Sequence, residues 1–461
     1  MTIPFSVIDE AIHLLDVGTA PWSIQLEARI AGSLDEGRLR SAIGEALRHH
    51  PMARAAKLPS HLRARLDNWV ITRDAALDPL RVVDCPDDES LDAMRAELQG
   101  ISVPLIESPP LRVVLARNGE GDMLMLNVNH AAMDGFGAMA VLRSIAAAYS
   151  STPEPAPQIE FLQARNWTGQ LADRPLSIRL RRQLELATRM RDLFAPPARV
   201  AGEGADNEAG YGFVHTSLSE AETEALVRSR GGSGPATPGP RATVNDVLLA
   251  ALHLAIAQWN DQHDARCRRI GVLVPANLRP PEWREEIASN FSLPARIATS
   301  RRNRRTPAGA LKAVAAQTRR KKKAGMGTAF IALLGETRLL PLWAKRVMVL
   351  GLPLTGNRLV DTAMLSNLGR LDDPPSFGDG PDGGKIEELW FSPPARMPLG
   401  LTIGVSTVAG RIHLVLRYRH RLFDRAAAIR FADLYLGKLE AFTGGVSIAA
   451  AHGAGQGLRA A

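Results

Sequence analysis

The chain is 461 residues long, with 45% hydrophobic and 23% charged residues and no apolar run long enough to span a membrane, so two soluble globular domains are expected. Its two cysteines, Cys85 and Cys267, lie far apart and without partners at metal-ligand spacing, which argues against a disulfide framework or a zinc site; the N-terminus lacks a basic n-region, and both features fit the cytoplasm. A formal charge of +8 favours acidic partners, and with 5% aromatics and no nucleic-acid motif, nucleic acid is the weakest of them.

SIQLEARIAG (23–32) reads as a strand, and 34–50 as a helix with Leu34, Leu39, Ile43, Ala46 and Leu47 near helical spacing. RVVLAR (112–117) and MLMLNVNH (123–130) form a hairpin around the turn signal Asn118-Gly119. A helix follows over 137–149, with Met139, Leu142, Ala146 and Tyr149 on one face. Thr243 is placed to cap a helix over 244–259, with Asp246 near its third position. Residues 269–276 read as a strand, and 401–420 as a hairpin turning at Ala409-Gly410. Pro-, Gly- and Ser-rich loops fall at 149–158, 196–210, 231–240 and 372–384. The whole is an α/β protein in two parts, 1–195 and 196–445, with a flexible tail over 446–461.

The stretch NHAAMDGFG (129–137) interrupts this alternation with chemistry. His130 shares a strand face with Leu124, Leu126 and Val128, in a strand apolar enough to be buried on both sides. Gly135 and Gly137 allow a sharp turn, and Asp134 either caps the next helix or holds a positive side chain. A histidine at a buried corner, held in one tautomer, suits a general base for an alcohol or amine. Spacing alone leaves that reading level with a core histidine beside a plain helix cap.

HAAMDG (130–135) resembles the HxxxDG motif of the acyltransferase superfamily that includes chloramphenicol acetyltransferase, condensation domains of nonribosomal peptide synthesis, polyketide-associated acyltransferases, alcohol acetyltransferases and wax ester synthases. RHHPMARA (48–55), PPLRVVLAR (109–117), TVNDVLLAAL (243–252), VLVPANLRP (272–280), MLSNLG (364–369) and the hairpin within 391–418 resemble further segments of it, in family order over about residues 5–440. Condensation domains usually carry two adjacent histidines, and here the first position is Asn129.

The resemblance implies two chloramphenicol-acetyltransferase-like lobes, each a mixed sheet with packed helices, with an active-site tunnel between them. It implies His130 as general base for attack on an acyl thioester, without a covalent acyl-enzyme, and Gly135 as the residue that brings a backbone N–H to the oxyanion. Asp134 would pair with an arginine, with Arg279 and Arg54 as candidates. Asn129, Ser366 and Asn367 are the candidate substrate contacts. Acyl-CoA or an acyl group on a carrier protein's phosphopantetheine would be co-substrate to an alcohol or amine acceptor, in natural-product or lipid assembly, with no metal or redox cofactor. A trans-acting monomer is expected. The competing reading is a degenerate member that binds or recruits without catalysing. The runs RRNRR (301–305) and RRKKK (319–323) leave open a solvated face, coenzyme A phosphates, a carrier protein or anionic lipid, and the apolar stretch 328–354 leaves open core, acyl tunnel or peripheral membrane contact.

Overall fold

A computed structural model describes residues 1–16, 21–61, 63–154, 160–166, 196–205, 210–228, 242–280, 283, 286–323, 334–335, 337–351, 358, 360–378 and 383–449. Among these described residues, three sheets are built from fourteen strands. In chain order these are β1 (Thr2–Pro4), β2 (Ser23–Ile30), β3 (Ala55–Lys57), β4 (Asn68–Ile71), β5 (Leu80–Asp84), β6 (Leu111–Arg117) and β7 (Met123–Asn129). They continue with β8 (Tyr211–Ser217), β9 (Arg269–Asn277), β10 (Ser292–Ser300), β11 (Ala363–Arg370), β12 (Ile386–Ser392), β13 (Leu401–Val408) and β14 (Arg411–Arg419).

The first lobe is a five-stranded mixed sheet ordered β12-β2-β7-β6-β5, and the second a six-stranded mixed sheet ordered β10-β9-β11-β13-β14-β8. A small sheet β1-β4-β3 flanks the first lobe. Every residue of β2 and β7 is buried, as expected of strands covered on both faces. One face of this pair is nevertheless polar: Asn127 donates to Gln25 (3.2 Å), Gln25 to Glu27 (2.6 Å), and Arg95 to Glu27 (2.7 Å). That chain satisfies groups that would otherwise be buried without partners.

A division at 195/196 separates the two large sheets except for β12. This strand comes from the second half yet pairs antiparallel with β2, Leu389 opposite Ala28. It also leans on β13, where a Cβ on Gly404 would lie 1.7 Å from the Phe391 carbonyl oxygen. Glycine is therefore required for the lobes to meet at this seam. The expected tail divides as well: Ile448 is buried, with its N–H on Glu440, and Ala449 donates to Glu222, while 450–461 lie outside the described residues.

The helices form where local chemistry caps them. Asp35 caps Glu36–His49, and Thr243 with Asp246 makes a reciprocal capping box on Val244–Gln262. The β13–β14 hairpin turns through Ala409 (φ 48°) and Gly410 (φ 76°), the left-handed pair a two-residue hairpin needs. In the β6–β7 turn the left-handed residue is Gly121 (φ 106°), not Gly119.

Candidate active site

β7 delivers His130. It is the first residue past the strand, its N–H held by the Trp22 carbonyl (3.1 Å), and its ring is half-buried. Nδ1 lies 3.2 Å from the Met133 carbonyl oxygen. A carbonyl only accepts, so this contact places the neutral ring's proton on Nδ1 and leaves Nε2 as a bare lone pair. Burial pushes the imidazole below its ordinary value, and the nearby Asp134 charge and the Met133 carbonyl offset only part of that. The ring is therefore neutral at pH 7, the protonation state a base must have.

Asp134 is held by residues of the second half of the chain and by the start of its own helix. Its Oδ1 accepts from Gly137 N–H (3.0 Å), capping the helix Gly135–Tyr149. Its Oδ2 accepts from Arg279 Nη1 (2.8 Å), Phe291 N–H (2.9 Å) and Ser292 Oγ (2.9 Å), and Arg279 Nη2 lies 2.8 Å from Oδ1. The guanidinium also donates to the Ser289 carbonyl (2.6 Å) and stacks 4.5 Å over Phe291. Burial alone would raise the Asp134 carboxyl, but Arg279 and these N–H groups outweigh it and hold the group below its ordinary range. The result is a buried two-pronged ion pair whose carboxylate oxygens also accept from Gly137, Phe291 and Ser292.

The glycines act by closeness rather than by turning the chain. Neither Gly135 nor Gly137 has a left-handed backbone. A Cβ on Gly135 would meet Leu368 at 2.8 Å and Phe391 at 3.1 Å; one on Gly137 would meet Met133 at 2.8 Å and the Ser289 backbone at 3.1 Å. The motif helix thus starts wedged between β11, β12 and the 287–292 segment.

Several candidates named from sequence sit elsewhere. Arg54 does not pair with Asp134: its guanidinium donates to the Arg48 and Leu47 carbonyls and closes the end of the helix Glu36–His49. Asn129 is not available to substrate. Both ends of its amide are engaged, Nδ2 with Asp16 (2.9 Å) and the Val103 carbonyl (2.8 Å), Oδ1 with Ala131 N–H (2.9 Å), and it is 1% exposed. Asn367 is spent on strand geometry, accepting from Gly369 N–H (2.7 Å) at a bulge and donating to Asn245 (3.4 Å). Ser366 lies two residues before Leu368 on β11, opposite Gly404 of β13, and is 9% exposed. In the first basic run, Arg304 is buried and braces the Thr299 and Cys267 carbonyls, a structural role. Sequence reasoning missed Phe291 N–H and Ser292 as partners of Asp134; nothing local at 291–292 marks them.

No family model matches the chain. The uncharacterized protein Rv2305 of Mycobacterium tuberculosis (strain H37Rv) is 34% identical over 444 residues, covering 94% of this chain and 98% of its own. The nonribosomal peptide synthetase nlsA of Emericella nidulans is 31% identical over 129 residues, 27% of this chain and 2% of its own. The first condensation domain of the calcium-dependent antibiotic synthetase, solved with a substrate analogue, superposes with a TM-score of 0.71 at 14% identity over 97% of this chain and 99% of that one. The chain belongs to one family with Rv2305, and it shares the fold of condensation domains. Its two mixed sheets with packed helices are the two lobes of the condensation-domain fold, and His130 emerges where they approach one another. A solvent-open depression of about 640 Å³ around Gly32, Arg117 and Gly121 lies at the other end of β7, away from this corner.

Proposed function

We propose that this condensation-domain protein transfers an acyl group from a thioester, on coenzyme A or on carrier-bound phosphopantetheine, to an alcohol or amine. The observation that carries the reading is the neutral, half-buried His130 with Nδ1 on the Met133 carbonyl, which leaves Nε2 free to face substrate. Nε2 takes the acceptor's O–H or N–H proton as that oxygen or nitrogen bonds to the acyl carbon. The tetrahedral oxyanion then collapses, the C–S bond breaks, and Nε2–H returns the proton to the departing thiolate. The proton is conserved and no acyl-enzyme forms.

Asp134 is a positioning group here. Its pairing with Arg279 ties the histidine corner to the second lobe and leaves its charge spent away from the ring. The backbone N–H of Gly135, at the start of a fifteen-residue helix, is our choice for the oxyanion donor, where the helix's unpaired N–H groups favour negative charge. Ser366 is the residue we retain as a substrate contact from β11. The test is thioester turnover against an alcohol and amine panel, with thiol release and product mass both read.

A second reading, peripheral contact with an anionic membrane face, is favoured by one observation. The helix Leu342–Leu350 presents Trp343, Val347 and Leu350 at i, i+4 and i+7, exposed by 51%, 58% and 69%, with Arg346 exposed beside them. Co-sedimentation with anionic vesicles, lost in a Trp343→Ser, Val347→Ser double variant, tests it; no binding to such vesicles ends it. Among the described residues no helix is long and apolar enough to cross a membrane.

A further inference from the structure

The helix Glu36–His49 ends on two histidines in a row, and the fold brings a distant carboxylate to them. His49 is the last helical residue and His50 its cap, with the two rings edge to face and their centroids 4.9 Å apart. Opposite them, the motif helix Gly135–Tyr149 presents Ser144 and then turns back on itself. Ser151 is left-handed there (φ 55°), its N–H bonded to the Ala148 carbonyl (3.2 Å) and that of Thr152 to the Ala147 carbonyl (2.8 Å). These are the paired bonds of a Schellman end. The reversal returns Glu154 to the side of Ser144, ten residues behind it.

One nitrogen of each histidine and one carboxylate oxygen of Glu154 lie within 4.8 Å of one another. Their contacts are unequal. Ser144 Oγ is 2.7 Å from Glu154 Oε1 and 2.8 Å from His50 Nε2. An ionised carboxylate only accepts, so the hydroxyl proton goes to Glu154, and His50 Nε2–H donates to Ser144. His49 Nε2 stops 3.9 Å from the same Glu154 oxygen, beyond hydrogen-bond reach. His50 is 1% exposed, whereas the side chains of His49 and Glu154 are 23% and 27% exposed. The cluster therefore has a buried floor and an open side.

We infer that His49, His50 and Glu154 form a binding site for a divalent transition-metal cation, zinc above all, which braces the end of the motif helix remote from His130. Two imidazoles and a carboxylate are donors zinc takes, at about 2.0–2.2 Å each, which sets tetrahedral ligands about 3.3–3.5 Å apart. Closing to that spacing moves His49 and Glu154, the two side chains on the open side. For His50 to coordinate through Nε2, its proton moves to Nδ1, the other neutral tautomer. The Ser144 lone pair that accepted that proton then faces the ion, while the Ser144 hydroxyl proton stays on Glu154 and orients the coordinated carboxylate. Neither cysteine takes part. Ser144 lies nine residues past Gly135, about 14 Å along the helix, so the site is separate from the transfer chemistry and stands whether or not His130 is the base.

Calorimetric titration of zinc into the tag-free, chelator-treated full chain tests the site. One equivalent should bind with micromolar affinity or tighter, and excess zinc should raise the thermal midpoint by about 2 °C or more. Because His50 is buried, the ligand variants are the other two: His49→Gln and Glu154→Gln should each weaken binding by about tenfold or more. His263→Gln, which removes the histidine beside Glu203, should leave the affinity unchanged. X-ray absorption at the zinc edge should show nitrogen and oxygen ligands without sulfur. No stoichiometric uptake, sulfur in the coordination sphere, or an affinity that follows His263 rather than His49 and Glu154 overturns the inference.

Discussion

Two histidines in this protein are both buried enough to be neutral, and only one is placed to react. His253 lies mid-helix in Val244–Gln262, fully buried, with Nδ1 2.9 Å from Thr299 Oγ1 and Nε2 without a hydrogen-bond partner. Burial, then the Arg304 charge, push it down to about 3. His130 is lowered for the same first reason, but it stands at a strand end, half-buried, with a carbonyl holding one nitrogen and an aspartate nearby. Burial supplies the neutral imidazole in both places. Position at the end of an element, where one nitrogen is held and the other faces the seam between lobes, separates a base from a packing residue.

The Asp134–Arg279 strap should set that distinction most directly. Asp134→Ala leaves the Arg279 guanidinium buried and unpaired and removes a helix cap, so stability should fall by about 3–5 kcal/mol, seen as a lower midpoint in denaturant. An Asp134→Ala protein as stable as wild type would mean the corner is not held by this pair.

Acid should act next. His50, His253 and His413 are each pushed down to about 3, chiefly by burial, from an unfolded value near 6.5. Between those values the unfolded state binds more protons, so stability is fully present above pH 6.5 and is lost as pH falls toward 3, by about 1.4 kcal/mol per unit of displacement for each group. Thermal melts from pH 7 to pH 4 check this, and a flat profile would contradict it. His253→Leu removes one of these groups, so its acid loss should be smaller than wild type while turnover at neutral pH stays unchanged.

The smallest effect is in the rate profile. Because burial lowers His130, the acid limb of kcat/KM should have its midpoint below pH 6.5 in wild type. A midpoint above 6.5 would mean that the ring is charged at rest and that the surrounding carboxylates govern it.

How much of this could be read in the sequence follows from distance along the chain. The alternation of strands and helices, the Thr243–Asp246 box and the Ala409-Gly410 turn are written in contiguous residues, and the two-lobed fold with them. The motif's local features are of the same kind: a histidine closing an apolar strand, then an aspartate capping the next helix. Contact made over more than a hundred residues is not legible in contiguous residues, and the Asp134–Arg279 pair, 145 residues apart, is reached only through the resemblance. β12 joining the first sheet, the Phe291 and Ser292 donors to Asp134, and Glu154 meeting His49 and His50 each depend on chain paths that periodicity does not carry. In sequence, Gly135 and Gly137 signal a turn, and Gly135 also a close backbone approach; the structure adds the bulk of Leu368, Phe391 and Met133, and the Ser289 backbone, packed where a Cβ would lie. Arg54 and Asn129 find uses in the scaffold instead, Arg54 on the nearby Leu47 and Arg48 carbonyls and Asn129 on Asp16 and Val103.

Thiol release from a panel of acyl-CoA and acyl-pantetheine thioesters, offered with mixed alcohols and amines, tests the central claim most directly when wild type is set beside His130→Ala. The account predicts turnover of at least one donor by the wild type and a loss of about a hundredfold or more in the variant, the scale on which a general base contributes. A His130→Ala protein that turns over every accepted donor at the wild-type rate would contradict it.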